Sequence, residues 1–284
     1  MEKLWLDENN ETEFVFNKEE LEELQTSVFD NKDILEYYFT NHSTKALKNV
    51  EGEQSILNAV SAAGLEDEEV REKIPPLTQK IPETDKAVID NFLKAQKLLF
   101  FRLEKEPYVY PELLLHLHRE LVRDNLDIAD YEKGRFRDRY SNEIQAGYFH
   151  PTPGSRVAEE VVVAMTNYAY VDKKNEDACF EKIAKLHAQF VRIQPFMDGN
   201  KRMAFLLTNA MLKLHGFPII DLCKNKEESK MYNNALKEAI VNRNVTKLAQ
   251  IILGKVKDKQ EVIIDKIAVD EIEKELLNVK GRHK

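Results

Sequence analysis

Residues that break helices are sparse in this chain, which has only 9 glycines and 9 prolines among 284 residues. Sparse breakers leave long segments that can form helices without interruption. In most of these segments apolar residues recur three or four positions apart, as in Leu21, Leu24 and Val28, and this spacing gives a helix one apolar face. The sequence therefore predicts an all-α fold.

Prolines and glycines mark two interruptions of this helical pattern. The Pro75-Pro76 pair and Pro82 separate an N-terminal group of helices from a later one. Residues 134–153 alternate loosely and carry several glycines and prolines, which favours a short β-hairpin. Three parts follow from this division: an N-terminal helical arm (1–84), a core (85–255) and a charged helical tail (256–284).

Charge, cysteine content and the length of apolar runs indicate which partners and which compartment to expect. The formal net charge of −8 argues against nucleic-acid binding, because neutralising phosphates requires clustered basic residues. Cys179 and Cys223 form no C-x-x-C pair, which fits a reducing compartment. The N-terminus has no apolar segment typical of a signal peptide, and the apolar run at residues 98–103 is too short to cross a bilayer. We expect a soluble, cytoplasmic protein without membrane contact.

Residues 193–202, I-Q-P-F-M-D-G-N-K-R, carry the strongest chemical pattern. A helix should end before Pro195, because proline disfavours helical backbone in the residue before it. A new helix should begin after the D-G pair, and its first turn offers unpaired N–H groups and the positive end of the helix dipole. With Lys201 and Arg202 this turn suits phosphates, and Asp198 beside it suits Mg²⁺. The alternative is an ordinary turn with solvated basic side chains.

The same segment resembles the motif H-P-F-x-D/E-G-N-G-R-x-x-R of the Fic family, whose members typically transfer AMP from ATP to a protein hydroxyl. Two flanking segments, 134–137 (G-R-F-R) and 148–151 (Y-F-H-P), resemble the sequences that precede and follow the family's flap. The resemblance extends over roughly residues 85–253 and implies a Fic-type helical bundle with a short β-hairpin flap.

The resemblance also implies roles for the matching residues. Asp198 would hold Mg²⁺ beside a bound ATP. The flap, at residues 142–149, would dock a protein substrate or partner as an added strand, and Ile144, Gly147 and Tyr148 belong to it. The phosphates would be cradled by four neighbouring residues: Gly199, Asn200, Lys201 and Arg202.

Gln194 stands where the family has the histidine that removes a proton from the target hydroxyl. A glutamine amide forms hydrogen bonds but accepts no proton near neutral pH. Loss of a positioned base costs on the order of 10²–10⁴-fold in rate. His187 is one candidate substitute base, and its simpler interpretation is a histidine packed inside a helix.

Two further positions depart from the family motif. Lys201 replaces the second glycine and resembles the Doc branch, which reads D-A-N-K-R and transfers phosphate instead of AMP. Phe205 replaces the second arginine, which contacts the terminal phosphate in the family. These departures leave the identity of the transferred group open.

The arm contains Val50-Glu51-Gly52, which resembles the end of an inhibitory helix, S/T-x-x-x-E-G/N, found in many Fic proteins. The serine or threonine position holds Leu47, so the match is incomplete. We expect Glu51 to pack near Arg202. The alternative is that Gly52 only interrupts a helix.

Two other patterns allow less specific interpretations. His116 and His118 are not predicted to bind a metal, because helix residues two apart do not face each other. Arg135, Arg137 and Arg139 alternate with aromatic residues, which fits either a basic edge or a solvated strand face.

The sequence therefore predicts a Fic-type protein adenylyltransferase fold that binds Mg²⁺ and nucleotide but is catalytically impaired by Gln194. Two alternatives remain: a non-catalytic regulator that binds nucleotide or protein, and a Doc-like phosphotransferase. The interpretation also allows a homo-oligomer.

Overall fold

The computed structural model of the chain describes residues 13–41, 54, 55, 57, 59, 83–141, 143, 144, 146–171 and 176–281. Eight α-helices are present in this part of the chain. The first four are α1 (Glu22–Asn41), α2 (Glu83–Lys105), α3 (Pro111–Leu121) and α4 (Val157–Tyr168). The other four are α5 (Cys179–Ile193), α6 (Asn200–Leu214), α7 (Lys226–Val241) and α8 (Thr246–Gly281). The all-α prediction is confirmed for the described residues.

Local sequence explains where these helices begin and end. α3 begins at Pro111, whose missing N–H costs nothing in a first turn. α7 begins after Asn225, whose side chain accepts a hydrogen bond from the backbone N–H of Glu228 at 2.9 Å. α6 is followed by Gly216, which has a left-handed φ of 79°. Proline, asparagine and glycine thus set these helix boundaries through their own backbone and side-chain preferences.

The core is built around α5 and α6. α5 packs against α4, α6, α7 and α8, and α6 also packs against α2 and α3. Fully buried aromatic side chains fill the interior, including Phe180, Phe190 and Phe205. The ring of Phe92 in α2 lies 5.8 Å from that of Phe205 in α6. The connection between α5 and α6 is therefore held in place by a densely packed helix pair.

The segment before α8 is tied to the segment before α1. The N–H of Val15 donates to the carbonyl of Arg243 at 2.8 Å, and the N–H of Val245 donates to the carbonyl of Val15 at 3.0 Å. Along α1 and α8, the Gln260 amide donates to the carbonyl of Val28 at 2.9 Å. α8 runs without interruption across residues 255 and 256, so the predicted separation of core and tail falls inside one helix.

Within the described residues the segment 134–153 contains turns and irregular backbone but no strand. Local hydrogen bonds close its turns, such as that from the N–H of Ser141 to the carbonyl of Asp138 at 3.0 Å. The predicted β-hairpin is not confirmed, because backbone groups bonded in local turns do not pair into a ladder. None of the helices in the described part combines the length and apolar character that crossing a membrane requires.

Candidate functional site

Residues 194–199 form the loop between α5 and α6. Gln194 ends α5 with left-handed backbone angles, φ 50° and ψ 62°. Gly199 precedes α6 with φ 76° and ψ 9°. A Cβ atom at Gly199 would lie 3.2 Å from Cγ1 of Val122, so both backbone angle and space favour glycine. Between these ends, Phe196 is completely buried and anchors the loop in the core.

The side chain of Asn200 closes this loop from inside. Its Nδ2 donates to the carbonyl of Phe196 and to Oε1 of Gln194, each at 2.8 Å. Its Oδ1 accepts the N–H of Phe196 at 2.9 Å. Both donor hydrogens of the amide are thus used within the loop. The predicted contact between Asn200 and a phosphate stays a prediction.

Gln194 is bonded into the loop through its side chain and its backbone. Its Nε2 donates to the carbonyl of Val191 at 2.9 Å, while Oε1 accepts the Asn200 amide. Its own carbonyl accepts Nε of Arg137 at 2.6 Å. The amide therefore caps α5 and supports the loop, and it offers no group that can take up a proton.

The carboxylate of Asp198 lies at the start of α6, with 39% of its side chain exposed. Its Oδ1 accepts the N–H of Gly199 at 2.6 Å. Its Oδ2 accepts Nδ2 of Asn125 at 2.8 Å and Nη2 of Arg202 at 3.3 Å. An accessible anion and a largely buried guanidinium thus lie side by side at the end of the helix where phosphates are favoured.

Asp198 could supply one carboxylate ligand to Mg²⁺, and the other ligands would have to come from water or a bound phosphate. Among the described residues no three His, Cys, Asp or Glu side chains are grouped as metal ligands. Mg²⁺ commonly uses one or two carboxylates and completes its shell with water and substrate phosphates. The single carboxylate of Asp198 therefore suits an ion whose other ligands come from water and phosphate oxygens.

His118, from α3, packs against the α5–α6 loop and forms a hydrogen bond with it. Its ring stacks on Phe196 with centroids 3.8 Å apart and planes inclined by 5°. Nδ1 accepts the N–H of Gly134 at 2.9 Å, so Nε2 carries the proton and donates to the carbonyl of Asp198 at 3.0 Å. Burial lowers the pKa of His118 to about 4, which keeps the ring neutral near pH 7. Sequence reasoning considered this residue only as a metal ligand and missed its supporting role.

Arg137 connects the segment after α3 to the end of α5. Its side chain is buried, and Nη2 donates to the carbonyls of Thr152 at 2.8 Å and Ile193 at 3.0 Å. Nε donates to the carbonyl of Gln194, and the backbone N–H donates to the carbonyl of Pro195 at 2.8 Å. One guanidinium thereby fixes the exact stretch of backbone that leads into the loop.

The other two arginines of the alternating segment are exposed. Arg135 forms an ion pair with Asp138, and the Arg139 guanidinium lies 4.7 Å from the centre of the Tyr140 ring. A cleft of about 130 Å³ lies between this segment and Met197 of the loop. The three alternating arginines therefore lie in two different environments, because Arg137 is buried while Arg135 and Arg139 are exposed.

His187 lies away from the loop, inside the helix bundle. It is completely buried, with Nδ1 2.8 Å from the hydroxyl of Thr208 and Nε2 2.8 Å from the hydroxyl of Tyr232. The Thr208 hydroxyl donates to the carbonyl of Ala204 at 3.1 Å, so His187 Nδ1–H donates to Thr208 and Nε2 accepts from Tyr232. Burial lowers the pKa of His187 to about 3. A buried neutral histidine bonded at both nitrogens is a structural residue, so His187 is not available as a base at the α5–α6 loop.

We expect His187 to make the protein sensitive to acid. Its pKa is about 3 in the folded chain against an ordinary 6.5, so its stabilising contribution is complete above pH 6.5 and is lost as pH falls toward 3. Between pH 7 and pH 5 the loss should be about 2 kcal/mol. Urea denaturation at both pH values measures it. His187→Gln should be less stable at pH 7 yet lose less on acidification, and an equal loss in both proteins would contradict this assignment.

Phe205, which the sequence resemblance matches with the family's second arginine, belongs to the core. Its side chain is completely buried and packs against Phe92. Restoring the arginine should therefore not restore a phosphate contact, because it would place an unpaired charge among apolar side chains. We expect Phe205→Arg to cost about 3 kcal/mol or more of unfolding free energy. Phe205→Leu is the control, with a loss of about 1 kcal/mol. Equal urea midpoints for the two variants would show that this position reaches solvent.

The structure describes the predicted flap residues but not the predicted inhibitory residue of the arm. Ile144, Gly147 and Tyr148 are described, and Gly147 has a left-handed φ of 72°. The side chain of Tyr148 is exposed, and the Lys237 ammonium of α7 lies 5.7 Å from the centre of its ring. Glu51 lies outside the described residues, so its placement near Arg202 stays a prediction.

Comparison with known proteins identifies relatives of this arrangement. Residues 108–212, which include the α5–α6 loop, match the model of the Fic/DOC family. The chain is 26% identical over 149 residues to protein adenylyltransferase Fic of Drosophila mojavensis, covering 51% of this chain and 27% of that protein. The match therefore spans only about a quarter of the length of this relative.

Solved structures share the fold at low sequence identity. Fic-1 (aa134–508) of C. elegans has a TM-score of 0.69 at 20% identity and covers 88% of this chain and 73% of that one. A Fic domain containing signaling protein of Bacteroides thetaiotaomicron has a TM-score of 0.65 at 16% identity, covering 86% and 96%. A Fic family protein of Desulfovibrio desulfuricans has a TM-score of 0.59 at 17% identity, covering 85% and 74%.

Proposed function

Because residues 108–212 form a Fic/DOC family domain, distantly homologous to protein adenylyltransferase Fic, we propose that this chain binds a Mg²⁺–nucleotide at the α5–α6 loop without efficient AMP transfer. The single observation that carries the proposal is the side chain of Gln194. It stands at the family's base position, has no titratable group and forms hydrogen bonds with Val191 and Asn200.

The residues of the loop divide into holding and binding roles. Gln194 and Asn200 hold the loop in shape, with Arg137 fixing the backbone that leads into it. Arg202 and the start of α6 supply positive charge for phosphates. Asp198 would hold Mg²⁺, which when bound neutralises phosphate charge and polarises the bond to the transferred group.

The missing step is removal of a proton from the acceptor hydroxyl. Without a base the hydroxyl must attack while still protonated, so the rate falls by on the order of 10²–10⁴-fold. Binding and orientation do not need the base and are retained. The chain would then act mainly as a nucleotide-responsive regulator, with a protein partner docking along residues 142–149.

A Doc-like phosphotransferase is a second candidate function, favoured by one observation. Lys201 adds a cation in the first turn of α6, where the family's AMP-transferring members have a glycine. An extra cation changes which phosphate the site holds most strongly. The mass added to a modified protein separates the two reactions, because one adds AMP and the other adds phosphate.

A charge-matched pair of lysine variants tests where the nucleotide binds. Lys201→Gln removes a charge at the loop, and Lys230→Gln removes one from an exposed position on α7. We expect Lys201→Gln to weaken ATP binding in Mg²⁺ about tenfold, or about 1.4 kcal/mol, since it removes a phosphate partner. Lys230→Gln should leave the affinity within about twofold. Equal affinities in calorimetric titration would show that ATP does not bind at this loop.

A further inference from the structure

The carboxylate of Asp198 is held by a residue far outside the motif. Asn125 lies in the turns after α3, and its Nδ2 donates to Oδ2 of Asp198 at 2.8 Å. This contact is shorter than that of Arg202, whose Nη2 lies 3.3 Å from the same oxygen. The best-formed side-chain contact of the proposed Mg²⁺ ligand therefore comes from a neutral amide.

The orientation of the Asn125 amide is fixed from both ends. Its Oδ1 accepts the N–H of Asp127 at 2.8 Å, a bond that only the oxygen can form. The N–H of Asn125 in turn donates to the carbonyl of Val122 at 3.1 Å. The Nδ2 group must then face Asp198, whose carboxylate can only accept. Chain geometry and hydrogen-bond chemistry thus specify the same rotamer.

Helix α3 and the turn after it support Asp198 at two different atoms. His118 of α3 donates to the backbone carbonyl of Asp198, and Asn125 donates to its carboxylate. Val122, between these two residues in the chain, lies against Gly199. The main chain and the side chain of Asp198 are therefore positioned separately from the same short segment.

A neutral donor has a particular advantage beside a metal ligand. Asn125 fixes the orientation of Asp198 without cancelling its negative charge, so the carboxylate keeps its attraction for a cation. A lysine or arginine in that place would compete with Mg²⁺ directly. Arg202, the cation that does touch Asp198, is also the residue that phosphates would attract. The arriving Mg²⁺–nucleotide can therefore exchange with this ion pair while Asn125 keeps Asp198 in place.

We propose that Asn125 is a positioning residue for the Mg²⁺–nucleotide site, acting through the carboxylate of Asp198. The inference rests on the proposed function, because it assumes that Asp198 meets Mg²⁺ with the nucleotide. The turn after α3 would then contribute to binding, although it lies outside the motif at residues 193–202.

The test uses Asn125→Ser, since a serine hydroxyl can still accept the Asp127 N–H but is too short to reach Asp198. Binding of a fluorescent ATP analogue is measured in MgCl₂ and in EDTA. We expect about fivefold weaker binding in Mg²⁺ and little change in EDTA. On an Asp198→Ala background the same substitution should have no further effect. Equal weakening with and without Mg²⁺, or an additive effect with Asp198→Ala, would overturn the proposal.

Urea denaturation without nucleotide separates this proposal from the proposed function. If Asn125 holds Asp198, the midpoint changes of Asn125→Ser and Asp198→Ala are not additive in the double variant. If the chain binds no ATP analogue but the midpoint changes are still not additive, nucleotide binding is refuted. The contact between Asn125 and Asp198 is then still supported. Additive midpoint changes would refute the positioning role whatever the nucleotide result.

Discussion

Replacing Gln194 with histidine is expected to raise self-modification with AMP by on the order of 10²–10⁴-fold. The histidine restores a group that accepts the proton of an attacking hydroxyl. The backbone at this position is left-handed, with φ 50° and ψ 62°, and histidine tolerates that region better than most residues. Intact-protein mass spectrometry after incubation with Mg²⁺ and ATP measures the product. The unchanged chain should gain little mass and the Gln194→His variant should gain AMP.

Two variants control this experiment. Gln194→Asn also suits a left-handed backbone but supplies no base, so it should gain nothing. Gln194→His combined with Arg202→Gln should lose most of the gain if Arg202 meets the phosphates. Addition of phosphate instead of AMP would favour the Doc-like reaction. AMP addition to the unchanged chain at the variant's rate would refute the role assigned to Gln194.

Replacing Arg137 with alanine is expected to lower the free energy of unfolding by about 4 kcal/mol and to abolish nucleotide binding. The buried guanidinium satisfies the carbonyls of Thr152, Ile193 and Gln194, and its loss leaves these groups buried without a donor. Since two of them lead directly into the α5–α6 loop, the loop should lose its fixed conformation. Urea denaturation and ATP titration of the same protein samples measure both effects.

Arg135→Ala is the matched control, because Arg135 lies two residues away, has the same charge and is exposed. Its ion pair with Asp138 is at the surface, where such pairs contribute little. We expect a stability change within about 0.5 kcal/mol and unchanged ATP binding. Similar losses in the two variants would show that charge in this segment matters more than the buried contacts of Arg137.

The helices around the loop were predictable because their signals are local. Pro111 fixes the start of α3, and the Gln194-Pro195 and Asp198-Gly199 steps mark the end of α5 and the start of α6. These residues act through their own backbone preferences, which do not depend on the rest of the fold. The continuity of α8 was less predictable, because tertiary packing offsets the low helix propensity of Gly254.

The supporting residues of the site were not predictable from the chain. His118 and Asn125 lie 80 and 73 positions from Asp198, and no spacing rule connects them with it. Arg137 was indistinguishable by pattern from Arg135 and Arg139, because burial is decided by how the segment packs against α5. The sequence therefore indicates the residues that are proposed to meet a ligand, while the residues that hold them in place emerge only from tertiary structure.

A calorimetric titration of the unchanged chain with ATP tests the central claim most directly. It is performed once in Mg²⁺ and once in EDTA, and the mass of the protein is measured afterwards. The proposed site predicts binding that strengthens with Mg²⁺, because the ion would bridge the Asp198 carboxylate and the nucleotide phosphates. It also predicts little added mass. Absence of heat in both titrations, or equal affinity with and without Mg²⁺, would contradict a Mg²⁺–nucleotide site at the α5–α6 loop.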